Sequence, residues 1–384
     1  MNKIEELIKI KCPNGVPHKT IKETVGLNRG RRLTKSQLSD DFKYEVYHGS
    51  KDTILGKYSE WNAPGDTIII VNTGGIGGVK YLPKPFWCSD GSFWLGHNKE
   101  INNRFLYHYL SMFEDYFASK KRIGGVPTID KYVVEDLIVP VPPMEVQDEI
   151  VRILDNFTEL TAELTAELTA RKKQYEFYKN KLFDGIDAKF NTKLGDFASI
   201  VRGGNFQKSD FVDNGFPCIH YGQIYTHFGI STESVIKYLP KRIFDESKKA
   251  NYSDIIMAIT SENIEDVCKC VTWLGNEEIA VSAHTAIIKH NQNPKFLSYF
   301  FHTNRFFNQK VKLAHGTKVI EVTASTLGNV EIPLVDIKAQ EQIVKKLDAF
   351  DNHCNDISKG LPAEIEARKK QYEYYREEIF SLLN

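Results

Sequence analysis

Gln147–Phe183 reads QDEIVRILDNFTELTAELTAELTARKKQYEFYKNKLF, and a near copy closes the chain: Gln340–Phe380 reads QEQIVKKLDAFDNHCNDISKGLPAEIEARKKQYEYYREEIF. The heads QDEIVRILDNF and QEQIVKKLDAF begin at 147 and 340. The tails ARKKQYE begin at 170 and 367, so the second copy is four residues longer between head and tail. Apolar residues in the first copy, among them Ile150, Leu154, Phe157, Leu164, Leu168 and Tyr175, recur at coiled-coil-like spacing, which predicts a long amphipathic helix. The second copy predicts another, broken near Gly360–Pro362, because proline inside a helix costs on the order of 3 kcal/mol. A chain that carries one long helix twice is expected to be two copies of one unit.

Working outward, the segments before each helix echo one another in the same order. LGDFASIVRGG (194–204) echoes IKETVGLNRG (21–30), and YSDIIMAITSENIEDV (252–267) echoes PGDTIIIVNTGGIGGV (64–79). The β-branched run in GDTIIIVNTGG (65–75) predicts a strand, and FWCSDGSFWLG (86–96) predicts a strand pair. IAVSAHTAIIK (279–289) stands in its place in the second half, which sets Asp90 and His284 at corresponding points. NRFLYHYLSMFEDYFAS (103–119) and FLSYFFHTNRFF (296–307) have helical spacing. The helices agree closely while the segments between them diverge. Two antiparallel helices holding two different mixed domains apart is the simplest reading; an ordinary core hairpin in one large domain is the bland alternative.

The 384 residues have formal net charge +0 and a pI near 7.2, so any nucleic-acid binding must come from local patches. Six cysteines without a CxxC pair point to reduced thiols in a cytoplasmic protein, with neither a disulfide framework nor a zinc site. The charged start MNKIEELIKIK has no apolar signal-peptide core, and no apolar run approaches membrane length.

ELTAELTAELTA (159–170) is a four-residue repeat of good helix formers. Each unit would lengthen a helix by roughly 6 Å. Slippage in a tolerant helix explains how it arose; a ruler between two domains explains what it could do.

A duplicated variable domain followed by a long helix, with LIVPVPPMEVQ (137–147) leading into QDEIV and a TAEL run between the halves, resembles the specificity (S) subunit of type I restriction–modification enzymes, in the subgroup with TAEL repeats. The likeness covers the whole chain, although IPLVDIKAQEQ (332–342) replaces the proline motif in the second copy. The resemblance implies an α+β fold: two similar target recognition domains separated by two long antiparallel helices, with an internal pseudo-two-fold. The domains would be 1–143 and 186–336, the helices 144–185 and 337–384. Each domain would read one half of a bipartite double-stranded DNA target. The helices would set the gap and dock two methyltransferase subunits, which restriction/translocase subunits would join. The chain itself would be non-catalytic.

The residues agree. There is no [ND]PP[YF] loop, no P-loop, and NTGGIGG (72–78) lacks the spacing of a dinucleotide site, so neither a cofactor nor a metal is expected. The candidate DNA contacts fall in the divergent parts: Arg29, Arg31, Arg32 and Lys35 in the first half, with Arg202, Asn205, Gln207 and Lys208 as their counterparts. Asn72, Thr73, Ser261 and Asn263 follow strands. His220, Tyr221 and Gln223 sit in a strand-turn, and Lys121, Arg122, His315 and Lys318 form basic edges. Arginine and amide side chains can read base edges, and glycine-rich turns admit phosphates. A solvated charged loop is the plain alternative for each. Two other functions compete: a coiled-coil adaptor with two protein-binding domains, and the separate specificity subunit of a fused restriction–methylation enzyme.

Overall fold

A computed structural model describes residues 2–122, 124–355 and 360–384. The chain divides into two compact units, Met1–Ala166 with Glu364–Asn384, and Glu167–Ala363. Each unit therefore combines one mixed domain, the head of one long helix and the tail of the other.

In the first unit a four-stranded sheet runs in the order Leu27–Arg29, Ser92–Leu95, Thr67–Val71, Val79–Leu82. A three-stranded sheet runs Gly56–Tyr58, Tyr44–Tyr47, Trp87–Cys88. The expected strand pair at 86–96 is thus two strands that join different sheets. The reason is the tight turn Cys88–Ser92, in which the Ser92 amide donates to the Ser89 carbonyl and the chain changes direction. The second unit repeats both sheets and extends them. Ser199–Arg202, Thr285–Lys289, Ile255–Ala258, Cys270–Trp273 and Ser231–Thr232 form one. Lys237–Leu239, Phe216–Ile219, Ile279–Val281 and Lys249–Ala250 form the other. Burial follows from composition: Ile68, Ile69, Ile70 and Val71 are all fully buried, as are Ile255, Ile256, Met257 and Ala258.

A two-stranded clasp closes each domain just before its helix. His18–Thr20 pairs antiparallel with Ile138–Pro140, and Asn191–Lys193 with Glu331–Pro333. The helical segment 103–119 is two helices, Asn103–Leu110 and Glu114–Ser119, joined by a 3-10 turn. The short helix Lys131–Glu135 was not foreseen.

The central helix is continuous over Met144–Asp184, 41 residues or roughly 60 Å. It starts where Pro143 offers its carbonyl to the amides of Val146 and Gln147. The second copy has no such prolines; there Asp336 accepts from the Ala339 amide and starts Ile337–Asn355. This substitution of one cap for another accounts for the lost proline motif. The expected break is present: the next helix is Leu361–Ser381, and Pro362 sits harmlessly in its first turn.

The identical letters of the two heads and tails perform the same tasks in both units. Gln147, fully buried, accepts from the Asn102 amide at 2.8 Å and donates to the carbonyls of Glu100 and Pro142. Gln340, also fully buried, accepts from the Asn293 amide at 3.0 Å and donates to Val335 and Gln292. Asn102 and Asn293 are themselves helix N-caps, so each glutamine ties a long helix to the start of a domain helix. Asp155 holds Arg104 and His108, both at 2.8 Å; Asp348 holds Lys295 at 2.9 Å and Tyr299 at 2.6 Å. From the tails, Phe380 packs on Phe105 and Tyr109, and Phe183 on Phe296 and Phe300. Phe157 stacks on Tyr375 in one unit, and Phe350 on Tyr178 in the other. In the second unit the field of Lys172 reaches Cys354 while Tyr178 meets Phe350, so the two helices run antiparallel there.

The apolar pattern of the central helix is concentrated at its ends. Ile150, Leu154, Tyr175 and Phe183 are buried, whereas Leu160 is exposed and no residue from 155 to 174 is fully buried. Thr161 and Thr165 return their hydroxyls to the carbonyls of Phe157 and Thr161, so the weak member of the TAEL repeat is satisfied within the helix. No helix among the described residues is long and apolar enough to cross a membrane, and all six cysteines are free and buried.

Candidate nucleic-acid interface

Each unit gathers its basic loops at one turn. In the first, the Gly30 amide donates to Ser92 and the Arg31 amide to Cys88, while Trp87 donates its indole N–H to the Arg31 carbonyl. Gly30 lies so close to the turn that a Cβ there would stand 2.0 Å from the Ser89 carbonyl oxygen. In the second, the Gly203 amide donates to Thr285, and a Cβ on Gly203 would stand 2.0 Å from the Ser282 carbonyl oxygen. The sequence echo between Arg29–Gly30 and Arg202–Gly203 is thus one structural position. Arg29, Arg31, Arg32 and Lys35 are exposed around buried Leu33, and Arg202, Asn205, Gln207 and Lys208 around buried Phe206. Arg202 is steadied by Nε donating to the Ala283 carbonyl at 2.9 Å.

The turn is also reached from the central strand. Amides of Asn72 and Thr73 both donate to Gly91, and the Ile259 amide donates to His284. His284 therefore corresponds to Gly91, one place on from Asp90. A third loop folds back on the strand end. Arg122 and Thr128 bridge each other, and Thr128 bridges Thr73; His315 bridges Glu321, which pairs with Thr260. Lys121, Arg122, His315 and Lys318 are all exposed. Arg122 pairs with Asp130 at 3.2 Å.

Several expected contacts point elsewhere. Asn72 is 3% exposed, with its backbone spent on Gly91 and Ile129. His220 and Gln223 are buried as well: Gln223 accepts from the His220 amide at 2.8 Å, and His220 Nδ1 accepts from the Gly222 amide. They cap a short helix, Tyr221–Thr226, instead of facing solvent. Burial, with Lys208 and His284 nearby, lowers the His220 pKa to about 4, so its ring is neutral and can accept. Asn263 spends its side chain on Asp266, giving one hydrogen bond and accepting another. Thr73, Ser261 and Tyr221 remain partly exposed; Tyr221 meets His284 edge-on at 5.1 Å.

A further residue at the turn comes from EVYHGSKDT (45–53), which the sequence pairs with IHYGQIYTH (219–227) as a plausible base-reading strand-turn. The Ser89 amide donates to Tyr47 and the Ser282 amide to Ile219. These bonds make His48 the counterpart of His220. His48 is open where His220 is closed: its Nδ1 lies 3.1 Å from Ser89 Oγ and 3.3 Å from Asp90 Oδ1. The HG of EVYHGSKDT and the SDG of CSDGS carried the signal, but nothing in the sequence joined them.

The family profile described as "Type I restriction modification DNA specificity domain" matches residues 13–171 and again 189–367. The chain belongs to this family. A specificity subunit of this kind in Haemophilus influenzae, described as putative, is 29% identical over 371 residues, covering 91% of each chain. The Escherichia coli type I restriction enzyme EcoR124I/EcoR124II specificity subunit is 32% identical over 298 residues, 72% of this chain and 70% of that one. In fold, the S subunit from M. genitalium aligns over 96% of both chains with a TM-score of 0.53 at 16% identity. A chain from a structure concerned with complex assembly and conformational transition of the type I restriction–modification system gives 0.57 at 15%, over 96% of this chain and 98% of that one. The two profile matches each run from a domain into the helix that follows it, so the duplicated turn belongs to the duplicated specificity domain.

Proposed function

We propose that this chain is the DNA sequence-recognition subunit of a type I restriction–modification complex, in which each unit reads one half of a bipartite target. The basic loops around Arg31 and Arg202 would engage the two half-sites. The residues 1–143 and 186–336 would be the recognition domains, and the helices would set the gap and dock two methyltransferase subunits. Restriction/translocase subunits would join that core in the cytoplasm. The partners would supply methylation and cleavage; this chain would supply the address.

The observation that carries this reading is the turn at Ser89–Ser92 and Ser282–Thr285. Both units hold it by the same backbone bonds, and both pack the glycine of an Arg-Gly pair so close to it that a Cβ would not fit, yet surround it with different side chains. A fixed frame with variable, basic edges is what reading two different half-sites requires.

Long-read methylation sequencing of a host that carries this chain with its methyltransferase tests the proposal. A single motif of two fixed halves around a fixed gap is expected; methylation without a split motif would overturn it. Removing Thr165–Leu168, one TAEL unit, is expected to change the gap and leave both halves intact. An unchanged gap would count against the helix as a spacer.

A further inference from the structure

The turn of the first unit carries a carboxylate that its folding does not consume. Asp90 is 34% exposed in its side chain. Its Oδ1 accepts from Ser89 Oγ at 3.1 Å and lies 3.3 Å from His48 Nδ1. Among the described residues, Oδ2 makes no hydrogen bond, and no lysine or arginine nitrogen lies within 4.0 Å of either oxygen. Yet the basic loop is adjacent: Arg31 donates its amide to Cys88, two residues before Asp90. An acid on a surface meant for phosphates is repelled by them. Ser89 and His48 occupy Oδ1, so Oδ2 is left to meet a donor from outside the protein.

In the major groove, the donors that bases present are exocyclic amino groups, N6 of adenine and N4 of cytosine; guanine and thymine offer acceptors at those edges. A carboxylate can only accept. We propose that Asp90, held in place by His48 and Ser89, accepts a hydrogen bond from the amino group of an adenine or cytosine in the half-site read by the first unit. This rests on the recognition role argued above. His48 is the positioning residue, with Nδ1 3.1 Å from Ser89 Oγ and 3.3 Å from Asp90 Oδ1. At the corresponding place the second unit has no carboxylate. Ala283 stands where Asp90 stands, and the exposed side chain at its turn is His284, against Tyr221. The requirement for an amino group at this point is therefore a property of one half-site only.

The test uses the full complex. In methylation sequencing, Asp90→Ala, which removes the acceptor altogether, is expected to make one position of one half-site degenerate, with about 10-fold weaker discrimination there. The gap and the other half-site should be untouched, which also shows that the variant folds and assembles. In binding assays with wild-type complex, purine in place of the contacted adenine, or 2-pyrimidinone in place of the contacted cytosine, removes the amino group. That change is expected to weaken wild-type binding about 10-fold and Asp90→Ala binding hardly at all, and the analogue that acts identifies the base. A wild-type split motif that Asp90→Ala leaves unchanged, or relaxes in both halves alike, overturns the inference alone; so does a wild-type complex indifferent to every amino-group deletion. A wild-type complex with no split motif overturns the recognition role, and the inference with it.

Discussion

At the base of each unit, Gln147 and Gln340 make the same three-way tie between a long helix and a capped domain helix. At the turns, Asp90 and His48 in one unit stand where Ala283 and His220 stand in the other. The difference shows what each region is free to change. A buried amide that satisfies several groups has no substitute of the same shape and valence, because each group left unpaired costs about 1–3 kcal/mol. A half-exposed side chain on a rigid turn costs folding little, so its identity can follow the ligand.

The largest expected effect strikes the shared base. Gln147→Ala leaves the Asn102 amide and the carbonyls of Glu100 and Pro142 unpaired, and is expected to destabilise the protein by about 3 kcal/mol in thermal or denaturant unfolding. Gln340→Ala should cost slightly less, because its third partner, the Gln292 side chain, can turn to water. A negligible cost for one and not the other would break the equivalence of the two frames.

Acid should separate the units next. The second unit holds three histidines, His220, His290 and His302, whose pKa burial lowers to about 4. In the unfolded chain they titrate near 6.5, so between about 6.5 and 4 the unfolded state binds more protons. Their stabilisation is complete above that window and is lost as pH falls through it, at up to about 1.4 kcal/mol per pH unit for each histidine. Among the described residues the first unit has one comparable histidine, His108. Burial pushes His108 below its ordinary value, although the Asp155 hydrogen bond opposes this. Burial tends to raise the Asp155 pKa too, but bonds from His108 and Arg104 outweigh it and keep the carboxylate charged. The imidazole then donates from Nε2 to Asp155 and accepts at Nδ1 from Tyr372. Hydrogen exchange at falling pH is expected to open the second unit before the first; the reverse order would contradict this account of the histidines.

The smallest effects lie in the basic loops. Arg31→Ala and Arg202→Ala are each expected to weaken DNA binding several-fold at moderate salt and to lower the salt dependence by about one counterion if they meet phosphates.

Much of this was legible because period and repeat survive in sequence. The two long helices, the break before Leu361 and the buried strand at Thr67–Val71 followed from spacing and from Gly–Pro chemistry. The Arg29–Gly30 and Arg202–Gly203 loops did fall at one structural position. The roles of Asn72, His220 and Gln223 were not legible. Polar letters beside a strand look alike whether they face solvent or not; burial sets Asn72 apart, and hydrogen bonds set apart His220 and Gln223. His48 and Asp90 lie too far apart in sequence for their contact to be read without the parallel pairing of Tyr44–Tyr47 with Trp87–Cys88.

The central claim, one half-site for each unit, is tested most directly by footprinting the assembled complex on its target with Arg31→Ala and with Arg202→Ala. Protection should weaken over one half-site in the first variant and over the other half-site in the second. Equal weakening of both halves in either variant would contradict it.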